Sequence, residues 1–260
     1  MKAPARGHAA LAGTPAARTR ALGIALVALS ILVVVGPFLW VLANSFKSPI
    51  AILTGAWSFA PTLDNYTDVL SSKRSDFVHA LATSFAVAVA STSIVLVSAT
   101  LAAYSLHRFA WARWMVRALL VWTVAFHVIP IITMVGPWYV AFRALGLYDT
   151  RTALVLTHVV VNLPVALWLM MSFFRAVPPE IEEAAMVDGC HSLAAFWYIV
   201  LPLVVPGLVA TGVLAFIFSW NEFSIALNLT SRDTATVPVA IARFAQQYEV
   251  QYSQVAAAAV

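Results

Sequence analysis

Charge is scarce in this sequence. Lysine, arginine, aspartate and glutamate make up 10% of its 260 residues, against about 25% in ordinary soluble domains. Cysteine occurs once, at Cys190. That excludes an internal disulfide and leaves no ligand partner at metal-binding spacing, so no metal site is expected. No G-x-x-x-x-G-K-[ST] stretch is present to cradle nucleotide phosphates. The formal net charge of +4 is spread over the flanks of apolar segments, which is a topological pattern and not a nucleic-acid-binding face.

What fills the chain instead is apolar sequence, 62% hydrophobic with a mean hydropathy of +0.89. Ala21–Ala43, Ala118–Ala141, Thr152–Phe174 and Leu203–Asn221 carry no formal charge, and Phe77–Leu106 carries none beyond His79. A hydrocarbon core about 30 Å thick takes about 20 helical residues to cross. These runs predict an all-α polytopic membrane bundle with complete spans at 21–43, 79–106, 118–140, 152–174 and 205–229. A sixth span begins at Ser253 and is cut off at Val260. A longer natural chain is expected, because a membrane helix abandoned after a turn or two leaves carbonyls unpaired in lipid. The first run exceeds the 7–15 residues of a signal-peptide core, so it reads as a retained span.

Basic residues near span ends favour the cytoplasm. Lys2, Arg6, Arg18 and Arg20 precede the first span, and Arg108, Arg113 and Arg117 follow the second. Both groups then lie inside, as does 175–204, while Lys47, Lys73, Arg74, Arg143, Arg151, Arg232 and Arg243 face outward. Residues 1–20 are expected to be a cytoplasmic tail and 21–260 a single membrane domain. The outer segment 58–70, with its proline and Asp-Asn pair, reads as a packed loop.

Acid is concentrated in one place. Glu180, Glu182, Glu183 and Asp188 fall within nine residues. Each acid at the bilayer centre costs about 2.5–3.5 kcal/mol, so this stretch lies outside the hydrocarbon. It is still helical in pattern. Pro178 and Pro179 suit a helix start, and the acids beside them suit the positive end of its dipole. Ile181, Ala184, Ala185 and Asp188 follow helical spacing and make one small, mostly apolar face. Gly189 ends the helix. His191 or Ser192 then caps a second short helix, "LAAFWYIVL", which is expected to end at Pro202. Two short helices hinged at a glycine suit docking into a partner's groove. The alternative is an interfacial helix lying on the membrane.

The spacing of this segment carries a resemblance. Glu183-Ala184-Ala185, three residues, Gly189, nine residues, Ile199, one residue, Leu201-Pro202 resembles the EAA motif of ABC importer permeases. "NSFKS" (44–48), "LDNY" (63–66), "LGLYDT" (145–150) and "SWNEF" (219–223) are similar to the carbohydrate branch of that family, in particular to the smaller permease subunit of maltose-type importers. The resemblance implies six spans in a bacterial cell membrane. It implies that the loop 176–204 holds a coupling helix seated in a cleft of an ATPase dimer. Glu182, Glu183, Ala184, Ala185, Asp188, Gly189, Leu201 and Pro202 would then carry the coupling, with Glu183 as the polar anchor. It also implies a second permease subunit, an external sugar-binding protein or lipoprotein, and ATP with magnesium held by the ATPase. This chain would hold no cofactor and catalyse nothing itself.

Within the spans, Glu222 is the only formal carboxylate, and an intramembrane acid is a functional-site hypothesis by default. Asn221, Asn228 and Asn162 could line a sugar path, since each hydroxyl leaving water needs a new partner. The other reading of Glu222 is a polar bond to a partner permease. His127 with Pro130, and His158 with Pro164, read as support for proline kinks, with proton relay as the sharper alternative. Trp122, Trp138, Trp168 and Trp220 read as packing or interface belt. Three competing functions remain, one of them an ABC importer permease with a non-sugar substrate. A stand-alone secondary transporter would show repeated, interrupted helices in both halves, and none is seen. A membrane enzyme would need clustered catalytic groups, and the candidates are scattered.

Overall fold

The computed structural model describes residues 15–71, 76–246 and 252–260. Lys2, Arg6, Lys73 and Arg74 of the basic groups above lie outside them. In chain order the helices are α1 (Pro15–Ser45), α2 (Pro49–Leu53), α3 (Asp64–Ser71), α4 (Phe77–Arg108), α5 (Arg113–Val128), α6 (Ile131–Ala144), α7 (Arg151–Arg175), α8 (Pro179–Val187), α9 (Ser192–Ala195), α10 (Leu201–Leu203), α11 (Val205–Trp220), α12 (Ser224–Leu229), α13 (Val237–Gln246) and α14 (Tyr252–Ala259). A π-helical turn, Phe196–Val200, joins α9 to α10. The described residues contain no strand. They fall into two compact units, one of residues 15–68 with 252–260 and the other of 69–71 with 76–246.

Three helices cross on length and composition: α1 from Thr19, α4 and α7. Two bent pairs can each make one further span. The expected spans 21–43, 79–106 and 152–174 sit inside α1, α4 and α7, and α7 stays helical through Pro164. The expected span 118–140 is corrected: it is α5 and α6, bent by 96°. Pro130 has no N–H to continue the ladder. It also drives Ile129 into the extended region, at ψ 123°. The expected span 205–229 is corrected too. Helix α11 ends at Trp220, and α12 restarts at Ser224. Before them, α9 to α10 and α11 are bent by 70°.

In the first unit the motifs "NSFKS" and "LDNY" meet. Asn65 is buried, and its amide donates to the carbonyls of Ser45 (2.8 Å) and Lys47 (2.9 Å). The Ser45 and Tyr66 hydroxyls share a hydrogen bond of 2.7 Å. The Lys47 ammonium lies over the Trp40 and Phe59 rings at 4.9 and 5.1 Å.

The second unit is built around α4, which packs against α7 and α11. Its buried stripe is Ala80, Ser84, Ala88, Ser91, Val95, Ala99 and Ala103, recurring every three or four residues. Small side chains on one helical face let backbones approach closely, which is how helices associate without a hydrophobic driving force. Among the described glycines the tightest approach is at Gly207 of α11, where a Cβ would lie 2.3 Å from Phe173 Cγ. One core cluster joins Val95, Ala99, Tyr104, Met170, Phe174 and Phe196. A second joins Val87, Val135, Leu154, Ile225 and Leu229.

Candidate functional site

The acidic segment folds as two short helices hinged at a glycine. Pro179 opens α8, with Glu180 and Glu182 in its first turn. Gly189 takes φ +95°, a left-handed conformation that favours glycine, and the N–H of Cys190 reaches back to the Ala185 carbonyl at 3.0 Å. His191, not Ser192, caps α9, with Nδ1 accepting from Ala194 N–H at 3.2 Å.

The second helix does not end at Pro202; it runs to Leu203 and breaks at Val204. Pro202 cannot donate a backbone hydrogen bond, and its ring would crowd the carbonyl four residues earlier. The preceding turn widens instead, with Leu201 N–H bonded to the Phe196 carbonyl. The Leu201 side chain packs on the core cluster, and Pro202 is exposed.

The two faces of α8 differ sharply. Glu182 and Ala185 are buried at 6% exposure each, whereas Val187 is 87% exposed. Glu180, Glu183, Ala184 and Asp188 are exposed as well. The expectation that Ala184 and Ala185 share one docking face is therefore corrected: a helix turns about 100° per residue, so one alanine packs inward and the other outward. Glu182 is turned inward as well and faces the bundle. Its carboxylate accepts from the Tyr104 hydroxyl, and its Oε2 lies 2.7 Å from Arg108 Nε. Arg108 also donates to the Val177 carbonyl at 3.4 Å.

Tyr104 and Arg108 are four residues apart on α4, so they present one face. The Tyr104 ring is boxed by Phe196, Phe174 and Phe109, with centroids at 4.5, 5.8 and 6.1 Å. This pins the acidic loop to the end of a membrane helix through a buried ion pair whose carboxylate also takes a hydrogen bond from Tyr104. Sequence reasoning missed Tyr104 and used Arg108 only as a topology marker. The signal was there: a tyrosine and an arginine at i, i+4 closing an apolar run.

A second polar group joins four helices. The Glu222 carboxylate accepts from the N–H groups of Ile225 (2.7 Å) and Ala226 (3.0 Å), which caps α12. Its other neighbour is His158 Nε2, at 3.7 Å. His158 is buried, its Nδ1 is 2.6 Å from Ser219 Oγ, and Ser219 is 3.0 Å from Ser91 Oγ. His158 thus reaches from α7 across to α11. Asn162 is buried one turn further along α7. Asn221 and Asn228 are exposed, and their amides donate to the Ile217 and Ser224 carbonyls of their own helices at 2.9 and 2.7 Å. Trp168 Nε1 donates to Thr123 Oγ1 at 2.9 Å, tying α7 to α5.

At the end of α6 the motif "LGLYDT" forms a latch. Asp149, at φ +56°, accepts from Ser231 N–H (2.8 Å) and from the hydroxyls of Ser231 and Thr234. Burial pushes its carboxyl up, but the hydrogen bonds from Ser231 and Thr234 together outweigh it and hold the group below its ordinary value. No group of three or more histidine, cysteine, aspartate or glutamate side chains suited to a metal occurs among the described residues.

An all-helical membrane bundle with an acidic loop bolted to its second span has the layout of a transport permease. The family described as "Binding-protein-dependent transport system inner membrane component" matches residues 94–260. The sulfoquinovosyl glycerol transport system permease protein SmoH of Agrobacterium fabrum is 35% identical, over 90% of this chain and 83% of that protein. The trehalose transport system permease protein SugB of Mycobacterium tuberculosis is 36% identical, over 86% and 82%. The diacetylchitobiose uptake system permease protein NgcG of Streptomyces coelicolor is 32% identical, over 94% and 81%. A crystal structure of a bacterial ABC transporter involved in the import of the acidic polysaccharide alginate shares the fold, with a TM-score of 0.78 at 21% identity over 95% of this chain and 91% of the other. The chain belongs to the binding-protein-dependent transport system inner membrane component family. It is an ABC importer permease, a transport subunit.

Proposed function

We propose that this subunit imports a sugar or oligosaccharide, and that the loop 176–204 is the element a partner ATPase dimer grips. Three of the similar relatives carry sugar-derived solutes in their printed names, which supports a carbohydrate. The observation that carries the coupling reading is the split between adjacent acids. Glu182 is buried in an ion pair to a membrane helix, while Glu183 beside it is exposed. A loop anchored on one side and free on the other transmits force as a rigid lever.

In this reading Glu183, Ala184 and Val187 meet the ATPase, which holds ATP and magnesium. Gly189 sets the angle between the two helices. Asp188 flanks the hinge, and Leu201 with Pro202 returns the chain to the membrane. A second permease completes the path, and an external binding protein or lipoprotein delivers the solute. The N-terminus and the loop both lie in the cytoplasm. Glu183→Lys in the assembled transporter tests this: substrate-stimulated ATP hydrolysis and uptake are both lost while the subunits still assemble. Uptake at the parent rate would contradict the coupling role.

A further inference from the structure

The corner between α4 and α5 carries positive charge that no described residue answers. No aspartate or glutamate occurs between Asp76 and Asp149. Arg108 is taken by Glu182. Arg113 and Arg117 are exposed, and neither has an ion-pair partner among the described residues. They stand four residues apart at the start of α5, so they share a face and repel each other. They also occupy the positive end of the helix dipole, where cations are disfavoured. The electrostatics of α5 itself do not account for two arginines here; an anion from outside the chain does. The neighbouring cavity under α8 is not the place for it. Arg108 and Arg175 line that cavity, but so do Glu182 and Glu183, and its walls favour neither sign.

The surface around the two arginines follows the profile of a phospholipid. The link 109–112 folds back on α4: Trp111 Nε1 donates to Ser105 Oγ at 3.1 Å, and the Trp111 backbone N–H donates to the Phe109 carbonyl at 2.8 Å. Trp114 is 71% exposed and Val121 is exposed as well; Thr123 is the one buried residue of α5. At about 100° per residue, Val121 lies about 20° round the helix from Trp114 and about 40° from Arg117. This face therefore presents two cations, then an indole, then aliphatic surface, over about 12 Å. Indole rings sit at headgroup level, and an arginine stem lies along apolar surface while its head reaches a phosphate. The Arg108–Glu182 pair places the corner at the end of the bundle that carries the loop 176–204.

We propose that the α4–α5 corner binds an anionic phospholipid of the leaflet on that side, with the phosphate between Arg113 and Arg117 and an acyl chain along Trp114 and Val121. The phosphodiester accepts charge-assisted hydrogen bonds from both guanidinium groups. A zwitterionic lipid brings its own cation beside the phosphate and gains less. The inference goes beyond the import reading and holds whichever solute is carried.

The test uses the complete transporter in nanodiscs of equal phosphatidylglycerol and phosphatidylcholine with the same acyl chains. Trp114→benzoylphenylalanine places a photoreactive ring at the corner, and the adduct is read by intact mass of this subunit, which tells the two lipids apart. Each arginine beside an anionic lipid contributes about a fivefold preference. The phosphatidylglycerol adduct is thus expected to exceed the phosphatidylcholine adduct about 10- to 25-fold. Arg113→Gln with Arg117→Gln brings the ratio close to one, and Arg113→Lys with Arg117→Lys keeps most of it. Arg20→Gln, an exposed arginine at the start of α1, leaves it unchanged. Equal adducts with both arginines in place overturn the proposal, as does the absence of any lipid adduct. A ratio that falls as far with Arg20→Gln as with the Gln pair assigns the preference to net charge and overturns the site. Capture of the ATPase or a second permease in place of lipid makes this face a protein interface and overturns it too. If the Gln pair does not assemble, the ratio is read with both arginines present in 1 M sodium chloride, where the screening length falls to about 3 Å. The ratio drops there; one unmoved by salt contradicts the proposal.

Discussion

At the scale of single residues, Glu182 and Glu183 have opposite roles despite their adjacency. Removing one partner of a buried ion pair costs about 3–5 kcal/mol, because the other charge is left stranded. Glu182→Ala therefore lowers the thermal unfolding temperature of the purified subunit markedly, as measured by differential scanning fluorimetry. Glu183→Ala is exposed and changes stability by less than about 0.5 kcal/mol, but it weakens coupling. Gly207 gives a second contrast. A methyl group there would lie 2.3 Å from the root of the Phe173 ring, so Gly207→Ala costs about 1–3 kcal/mol by overpacking. Gly23→Ala, with nothing within 4 Å of the added carbon, serves as the neutral control. The sequence made the acidic segment, its glycine hinge and its helical pattern legible. It did not reveal which acid turns inward. That depends on Tyr104 and Arg108, 78 and 74 positions away, and no local period reports a partner at that distance.

At the scale of elements, the apolar runs located α1, α4 and α7 but hid the breaks in the other two expected spans. Run length measures apolar content, and a proline or an acid can divide a run without shortening it. Pro130 divides the third span, and Glu222 divides the fifth by capping the helix that follows it. Glu222→Ala removes that cap, worth about 0.5–2 kcal/mol, and removes the carboxylate beside His158 Nε2. A lower unfolding temperature in the same assay is expected.

The Asp149 latch makes a pH prediction. Its carboxyl is held below the ordinary value in the folded protein, so its stabilisation is fully present above the unfolded value. It is lost as pH falls below about 4. Asn tolerates a positive φ, so Asp149→Asn removes the ionisation while keeping the turn. Thermal denaturation between about pH 3 and pH 6 should show a shallower acid limb in this variant than in the parent.

At the scale of the whole molecule, the account reduces to a lever: one face of a short acidic helix is fixed to a membrane span, and the other is open to a motor. The most direct measurement is site-specific cross-linking from Val187, 87% exposed on the open face, set against Ala185, 6% exposed on the fixed face. With a photoreactive residue at each position in the assembled transporter, position 187 should capture the ATPase in a nucleotide-dependent yield, and position 185 should capture only this chain. Capture of the ATPase from 185 and not from 187, or from neither, would contradict the account.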